Sequence, residues 1–378
     1  MLLVMKLAMV SARATTRVAG LAAAMTRRGH QVSVYTRRAN SDEAEKFQAR
    51  QGYTVFRVPA GPAEQLPGHE LPTAMGQLAE YLHHAWKLDR PDVTHAYCWT
   101  SGIASQLVSR RLGLPAVLTI EGLDGVPQLA PQLKATAVKS ADWVTVASTD
   151  DAFSLVRTGR PRHRISVVPY GVDVDLFTPV GASAPKRAKY RIVSAGDSLL
   201  HNTFDDIVRA MPMIPHAELA IIGGPQPSDA ANDPEAVQVR SLATNLGVGR
   251  RVHLHGSVDR TELPQMLRSA DVVVCNQLSG ADAIEAMACG VPVVAAVGGA
   301  VRDAVVHDVT GYLLPPKDPR GLANAINTLL RDSFLRKSFG AAARDRACAC
   351  YGWDRIAEDV SRIYEHTMGA QRAPATTT

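Results

Sequence analysis

The sequence has no Cys-x-x-Cys pair, and none of its five cysteines (Cys98, Cys275, Cys289, Cys348, Cys350) has a histidine at metal-ligand spacing. Cys348 and Cys350 are one residue apart, too close for a zinc site, so the reading is free thiols in a reducing cytoplasm. Long apolar runs are also missing. MLLVMKLAMV at the start is too short to span a bilayer, and no small-residue cleavage pattern follows it. The apolar stretch 286–301 is broken by Gly290, Pro292, Gly298 and Gly299, which makes it strand and turn. Aromatic residues are scarce, at 5%, and none interleaves the basic clusters, which excludes nucleic-acid binding. No Asp-x-Asp run sits at a strand end with ligand geometry, so no metal is expected.

What is present is a basic, globular chain. The formal net charge is +5, carried by clusters such as Arg27-Arg28, Arg37-Arg38 and 157–164. A solvated surface explains them; the sharper readings are attraction to anionic nucleotide sugars or peripheral contact with an anionic membrane. The length, 378 residues, exceeds what one core usually spans and argues for two domains.

Apolar runs alternate with helical periodicity, the mark of parallel α/β units. KLAMV (6–10), QVSVYT (31–36), VFRVP (55–59), DVTHAY (92–97), AVLTI (116–120) and WVTVAS (143–148) read as strands of one sheet, with 164–171 at its edge. The stretch 179–189 is Pro/Gly-containing and then basic, and reads as a linker. A second series of strands follows at 191–196, 217–224, 251–258, 271–277, 291–296 and 311–316. The expected plan is an N-terminal domain over 1–178, a linker over 179–189 and a C-terminal domain over 190–350. A helix over 351–370 then crosses back to the first domain, and 371–378 is a disordered tail. Both domains are doubly wound and Rossmann-like, with a ligand expected in the cleft between their facing strand ends.

The segment CNQLSGADAIEAMACGVPVV (275–294) carries the most chemistry. Ser279 to Asp282 spell a Ser-x-x-Asp helix start after a buried strand, a ready anion site. Gly280 and Ala281 let a ligand approach the backbone closely. Glu285 is open to two readings: an exposed helix residue, or a carboxylate partly enclosed by Ala286, Met287 and Ala288. His95, in a His-Ala-Tyr run at a strand end, is a catalytic candidate beside the reading of a hydrogen-bonded structural histidine. Arg13 and Arg17 follow the first strand and read as solvated, with a second reading as charge donors to the cleft. His30, after Gly29, reads as a packing or turn residue.

The run DAIEAMACGVPVVAAVGGAVRDAVVHDVTGYLLPP resembles the donor-binding region of family-4-type, retaining, GT-B-fold glycosyltransferases. LAAAMTRRGHQVSVYTRR, DVTHAYCWTSGIASQLVSRRLGLPAVLT, ISVVPYGVDVDLFTP and 343–364 extend the resemblance over nearly the whole chain, nearest the actinobacterial branch. It implies a nucleotide-sugar donor, an unknown acceptor and no cofactor or metal. Asp173-Val174-Asp175 falls in a segment that the family shows without metal and reads as structural. Several positions depart from the family pattern. The loop 9–20 lacks the family's Gly-Gly pair, and the family's histidine is replaced by Glu121. Its diphosphate-gripping Arg and Lys are replaced by Asp197 and Asn202, and the first of its two glutamates by Gln277. Glu285 keeps the second glutamate, which in the family holds the nucleotide ribose. Gly298 and Gly299 keep the next loop, where a glutamate is replaced around Arg302.

The implied function is cytoplasmic sugar transfer with retention, with Glu121, Gln277 and His95 at the chemistry. Glu285, Gly280, Ala281, Asp197, Asn202, Gly298, Gly299 and Arg302 hold the donor. The alternative is a catalytically impaired relative acting as a partner or binding subunit, because five chemical positions change together; the Arg-to-Asp change by itself turns roughly 4 kcal/mol of attraction into repulsion. An epimerase or glycosidase on the same sheets lacks the base and ring-anchoring pattern it would need.

Overall fold

The computed structural model describes residues 4–120, 131–196, 204–275 and 280–372. Contacts divide the chain into two units, Met1–Gly171 with Trp353–Thr378, and Val172–Gly352. The first contains β1 (Lys6–Ser11), α1 (Thr16–Arg27), β2 (Gln31–Arg37), β3 (Lys46–Gln48), β4 (Thr54–Val58), α2 (Leu71–Leu88), β5 (Val93–Tyr97), α3 (Cys98–Leu112), β6 (Ala116–Ile120), α4 (Pro131–Ser140), β7 (Trp143–Val146), α5 (Thr149–Arg157) and β8 (Ile165–Val167). The second contains β9 (Tyr190–Ala195), α6 (Asp205–Ala210), β10 (Ala217–Ile222), α7 (Pro234–Asn245), β11 (Val252–Gly256), α8 (Leu263–Arg268), β12 (Val272–Cys275), α9 (Ala281–Ala288), β13 (Val293–Ala296), α10 (Gly299–Ala304), β14 (Gly311–Leu314), α11 (Pro319–Arg331) and α12 (Ser333–Tyr351). The chain ends in α13 (Trp353–Arg372), which belongs to the first unit.

The first sheet runs β3-β4-β2-β1-β5-β6-β7-β8, and only the short β3 pairs antiparallel. The second runs β11-β10-β9-β12-β13-β14, with every pairing parallel. Both orders reverse at the first strand of the unit, the doubly wound pattern that places ligands at the carboxyl ends of the strands.

Parallel sheets need cover on both faces, and successive strand residues divide between them. On β6, Leu118 packs with Leu78, Leu82 and Trp86 of α2 on one face. Its neighbour Val117 packs with Val18, Leu21 and Met25 of α1 on the other. That second face is completed by Ile356, Val360 and Tyr364 of α13. Each such side chain, fully buried, contributes roughly 1.5–3 kcal/mol. The entry to α13 is fixed by Trp353. A Cβ added at Gly20 of α1 would lie 2.2 Å from its ring, and one at Gly171 would lie 2.3 Å away. The indole therefore fills a slot that exists because both positions lack a side chain.

Two boundaries differ from the sequence reading. Residues 172–178 pack in the second unit: Phe177 is fully buried, and its carbonyl accepts from Arg344 Nη1 at 2.7 Å. The stretch 179–189 is bound to that unit as well. Arg268 Nε donates to the Ala182 carbonyl at 2.8 Å, Ala184 N to Gln265 O at 3.0 Å, and Lys186 pairs with Asp271 at 2.6 Å. Beneath it, Arg191 and Glu218 form a buried pair at 2.7 Å, with Arg191 also donating to Ser269 Oγ. Basic residues in a linker-like composition are here the means of attachment.

Gly20→Ala tests the indole slot. In an ordinary helix interior this change gains roughly 0.5–1 kcal/mol. Here the new methyl overlaps Trp353, and the expected result is a loss of roughly 1–3 kcal/mol by urea denaturation. An unchanged or raised midpoint would show that the slot is not tight.

Candidate functional site

Of the sequence-derived donor residues, the described ones (Gly280, Ala281, Glu285, Gly298, Gly299 and Arg302) follow the carboxyl ends of β12 and β13. Residue 280 is the cap position of α9, with φ 76°, and no side chain caps the helix. The predicted Ser-x-x-Asp start is thus corrected: a left-handed glycine opens the helix at Gly280, and Ser279 lies outside the described residues. Glycine is required there twice over. The φ is left-handed, and a Cβ would stand 2.9 Å from Ala300 Cβ. Ala300 belongs to α10, which follows Gly298 (φ 156°) and opens with Gly299 (φ 50°). The two glycine-led helix starts therefore touch, with Ala281 at the first position of α9. Amide groups in the first turn of a helix have no intrahelical acceptor and favour an anion.

Glu285 is 7% exposed, which decides between its two readings in favour of the enclosed carboxylate. Its neighbours Ala283, Ile284, Ala286, Met287 and Ala288 are all buried, so α9 is apolar on nearly every side. A buried carboxylate needs a charged partner. Arg260 supplies it, with Nη2 at 2.7 Å from Glu285 Oε1. The same guanidinium lies 5.0 Å from the centroid of the Phe177 ring. Arg260 is still 37% exposed, so solvent screens part of the attraction. Sequence reasoning missed Arg260, which lies in an unremarkable SVDRTEL run; only its place beyond the end of β11 hinted at it. Gly223 was missed too. A Cβ there would strike Gly196 O at 1.7 Å, so the ends of β9 and β10 meet backbone to backbone.

Arg302 is exposed in the last turn of α10. Glu121, Gln277, Asp197 and Asn202 lie outside the described residues. Asp173 Oδ1 accepts from the amides of Asp175 and Leu176, both at 3.1 Å, a local turn. Burial raises the Cys275 thiol well above its usual range, with Asp282 and Glu285 adding to it, and raises Cys289 to about 12. Both thiols stay protonated and unreactive at neutral pH.

In the first unit His95 is 3% exposed and both ring nitrogens are engaged: Nδ1 with Tyr364 Oη at 2.7 Å and Nε2 with Thr119 Oγ1 at 2.6 Å. Burial, with a smaller push from Arg17, lowers its pKa to about 3. A neutral, enclosed ring bound on both sides is the structural arrangement, not a group open to substrate. Arg17 also departs from its solvated reading. It is 6% exposed, donates to the Val168 carbonyl at 2.8 Å and stacks 4.6 Å over Tyr170. Arg13 donates to the Leu66 carbonyl at 2.8 Å, and Arg37, at the end of β2, is 5% exposed. His30 Nδ1 accepts from the Met5 amide at 3.2 Å, a packing role.

Two doubly wound parallel sheets, with glycine-led helix starts at the strand ends, define the GT-B class of transferase fold. The description "Glycosyl transferase 4-like domain" matches residues 14–171, and "Glycosyl transferases group 1" matches residues 182–346. The chain is 34% identical to D-inositol 3-phosphate glycosyltransferase of Xylanimonas cellulosilytica, over 94% of this chain and 91% of that protein. It is 33% identical to the enzyme of the same name from Mycobacteroides abscessus, over 93% and 83%. The chain belongs to the glycosyltransferase group 1 family. Solved structures agree on the fold. Sucrose-phosphate synthase from Thermosynechococcus elongatus superposes with TM-score 0.84 at 24% identity, over 97% of this chain and 100% of that one. Anabaena Alr3699/HepE in complex with UDP gives 0.73 at 17%, over 96% and 100%. Among the described residues no helix is long and apolar enough to cross a membrane.

The histidine gives a signed prediction. The unfolded ring binds a proton below about pH 6.5 and the folded ring only near 3. Stability is therefore fully present above the unfolded value and is lost as pH falls through that window. Going from pH ~7.5 to ~5 should cost about 2 kcal/mol from this residue. His95→Gln should have a smaller loss over the same interval, read by urea unfolding at both pH values. Equal losses in the two proteins would remove His95 as the source.

Proposed function

We propose that this chain transfers a glycosyl group from a nucleoside-diphosphate sugar to a hydroxyl of a small phosphorylated polyol, with retention and without a metal. The observation that carries the donor half is the buried Glu285, paired with Arg260 beside the touching starts of α9 and α10. In this reading Glu285 accepts hydrogen bonds from the ribose hydroxyls, and Arg260 keeps the carboxylate ionised and oriented. The first-turn amides of α9, with Gly280 and Ala281, receive the diphosphate. Gly298 and Gly299 line the adjoining loop, with Arg302 on the helix that follows.

The leaving diphosphate gains negative charge as the glycosidic bond breaks, and fixed donors stabilise it. Asp197 and Asn202 stand where the resemblance expects cations, so helix amides and Arg302 take a larger share. By the resemblance, Gln277 takes the position of the family's first glutamate, facing the sugar, and Glu121 the position of its histidine. His95 is left out of the chemistry.

The acceptor half rests on the relatives, which carry the name D-inositol 3-phosphate glycosyltransferase. Arg13, exposed just beyond the carboxyl end of β1, suits a phosphate on the acceptor, whereas Arg37 is buried with its guanidinium on the carbonyls of Pro62 and Glu64. The location proposed is the cytoplasm. The alternative, an impaired relative acting as a partner or binding subunit, stands on the replaced motif positions alone.

Titration calorimetry with UDP, GDP, ADP and dTDP tests the donor half. One base should bind saturably, and Glu285→Gln should weaken it at least about tenfold, the equivalent of 1.4 kcal/mol. No binding across the set would remove the donor reading. With the matching nucleotide sugar, mass spectrometry should then find a glycosylated product from inositol phosphate and much less from inositol. Donor binding without any product would favour the partner reading.

A further inference from the structure

The helices α4 and α5 of the first unit flank a recess of about 270 Å³ that sugar transfer does not use. Val138 and Leu155, both buried, form its apolar wall, and Ala135 adds to it. Every charged side chain lining it among the described residues is a cation: Lys134, Lys139 and Arg160. Arg160 is 93% buried by its 7% exposure, and its terminal nitrogens donate only to neutral backbone carbonyls, of Val138 at 3.0 Å and Ala141 at 2.8 Å and, more weakly, of Lys139 and Asp142. Its Nε is a buried donor with no acceptor. Buried donors are rarely left unmade without a reason.

The place of the recess separates it from the transfer site. The carboxyl end of α4 leads into β7, so Lys139 and Arg160 stand at the amino ends of the strands, whereas ligands of the fold gather at the carboxyl ends.

We propose that this recess binds an amphiphile carrying one anionic head, phosphate or carboxylate, on a short aliphatic chain. The head meets Lys139 and Arg160, where charge-assisted hydrogen bonds are strong. The chain lies along Ala135, Val138 and Leu155, where each buried methylene adds to the affinity. Such a ligand comes either free in solution or from a lipid bilayer.

Calorimetry on the full chain uses octyl phosphate below its micelle-forming concentration. Octyl glucoside supplies the chain without the charge, and inorganic phosphate the charge without the chain. One saturable site for octyl phosphate is expected, with both controls at least about tenfold weaker. Lys139→Glu and Ala135→Phe change exposed positions on α4, and circular dichroism checks that they fold. Each should weaken octyl phosphate at least about tenfold. No binding, equal binding of either control, or unchanged affinity in both folded variants would overturn the proposal. Co-sedimentation with phosphatidylglycerol–phosphatidylcholine vesicles distinguishes the sources. Pelleting that Lys139→Glu abolishes, together with octyl phosphate binding, assigns a bilayer lipid. Octyl phosphate binding without pelleting assigns a free amphiphile.

Discussion

The structure depends on one constraint: a parallel sheet must have both faces covered. In the first unit, residues before 171 cover one face with α2 to α5 and begin the other with α1. The remaining area is closed by α13, from the far end of the sequence. Its docking is fixed by the Trp353 indole between Gly20 and Gly171. Once that helix is seated, Tyr364 reaches His95, and His95 reaches Thr119 and through it Thr145. A polar chain thus crosses the core, and it is complete only because the last helix has returned.

The second unit answers the same constraint within one continuous stretch, but it pays attention to charge differently. Its central helix α9 is enclosed by apolar residues, and a carboxylate stands inside that enclosure. Glu285 is tolerable there because Arg260 reaches it, and Arg260 is steadied by the ring of Phe177. Phe177 is in turn held by Arg344 through its carbonyl. Segment 172–178 is therefore part of the support of the donor-side carboxylate, which explains why it packs with the second unit. The same logic of arginine on carbonyl oxygens recurs at Arg191, Arg160 and Arg268. In this protein arginine is a fastener of backbone as much as a surface charge.

Most strands of both sheets were legible because buried parallel strands read as continuous apolar runs, as in VVVC and AELAII. Gly298 and Gly299 announced a turn in the backbone, but the start of α9 was misread: the Ser-x-x-Asp spelling pointed to a side-chain cap, and the helix opens on the left-handed Gly280 instead. The short edge strand β3 was not, since KFQ carries no apolar pattern. Nor was the fate of the arginines. Arg17 has the spelling of a solvated residue, and only tertiary contacts with Val168 and Tyr170 remove it from that class, while the part-exposed Arg260 takes its role from Glu285 and Phe177.

The sequence by itself determined the class of fold, the alternation of strand and helix, and the positions where the backbone turns on glycine, because these follow from local periodicity and local sterics. It also carried the family resemblance. The tertiary structure alone decided which charges are buried and with whom. It made His95 a neutral core residue, Glu285 an enclosed carboxylate with an arginine partner, and Arg160 a cation held on carbonyls. The reason is physical: the state of an ionisable group is set by desolvation and by partners brought from distant parts of the chain, and neither is encoded in its immediate neighbours.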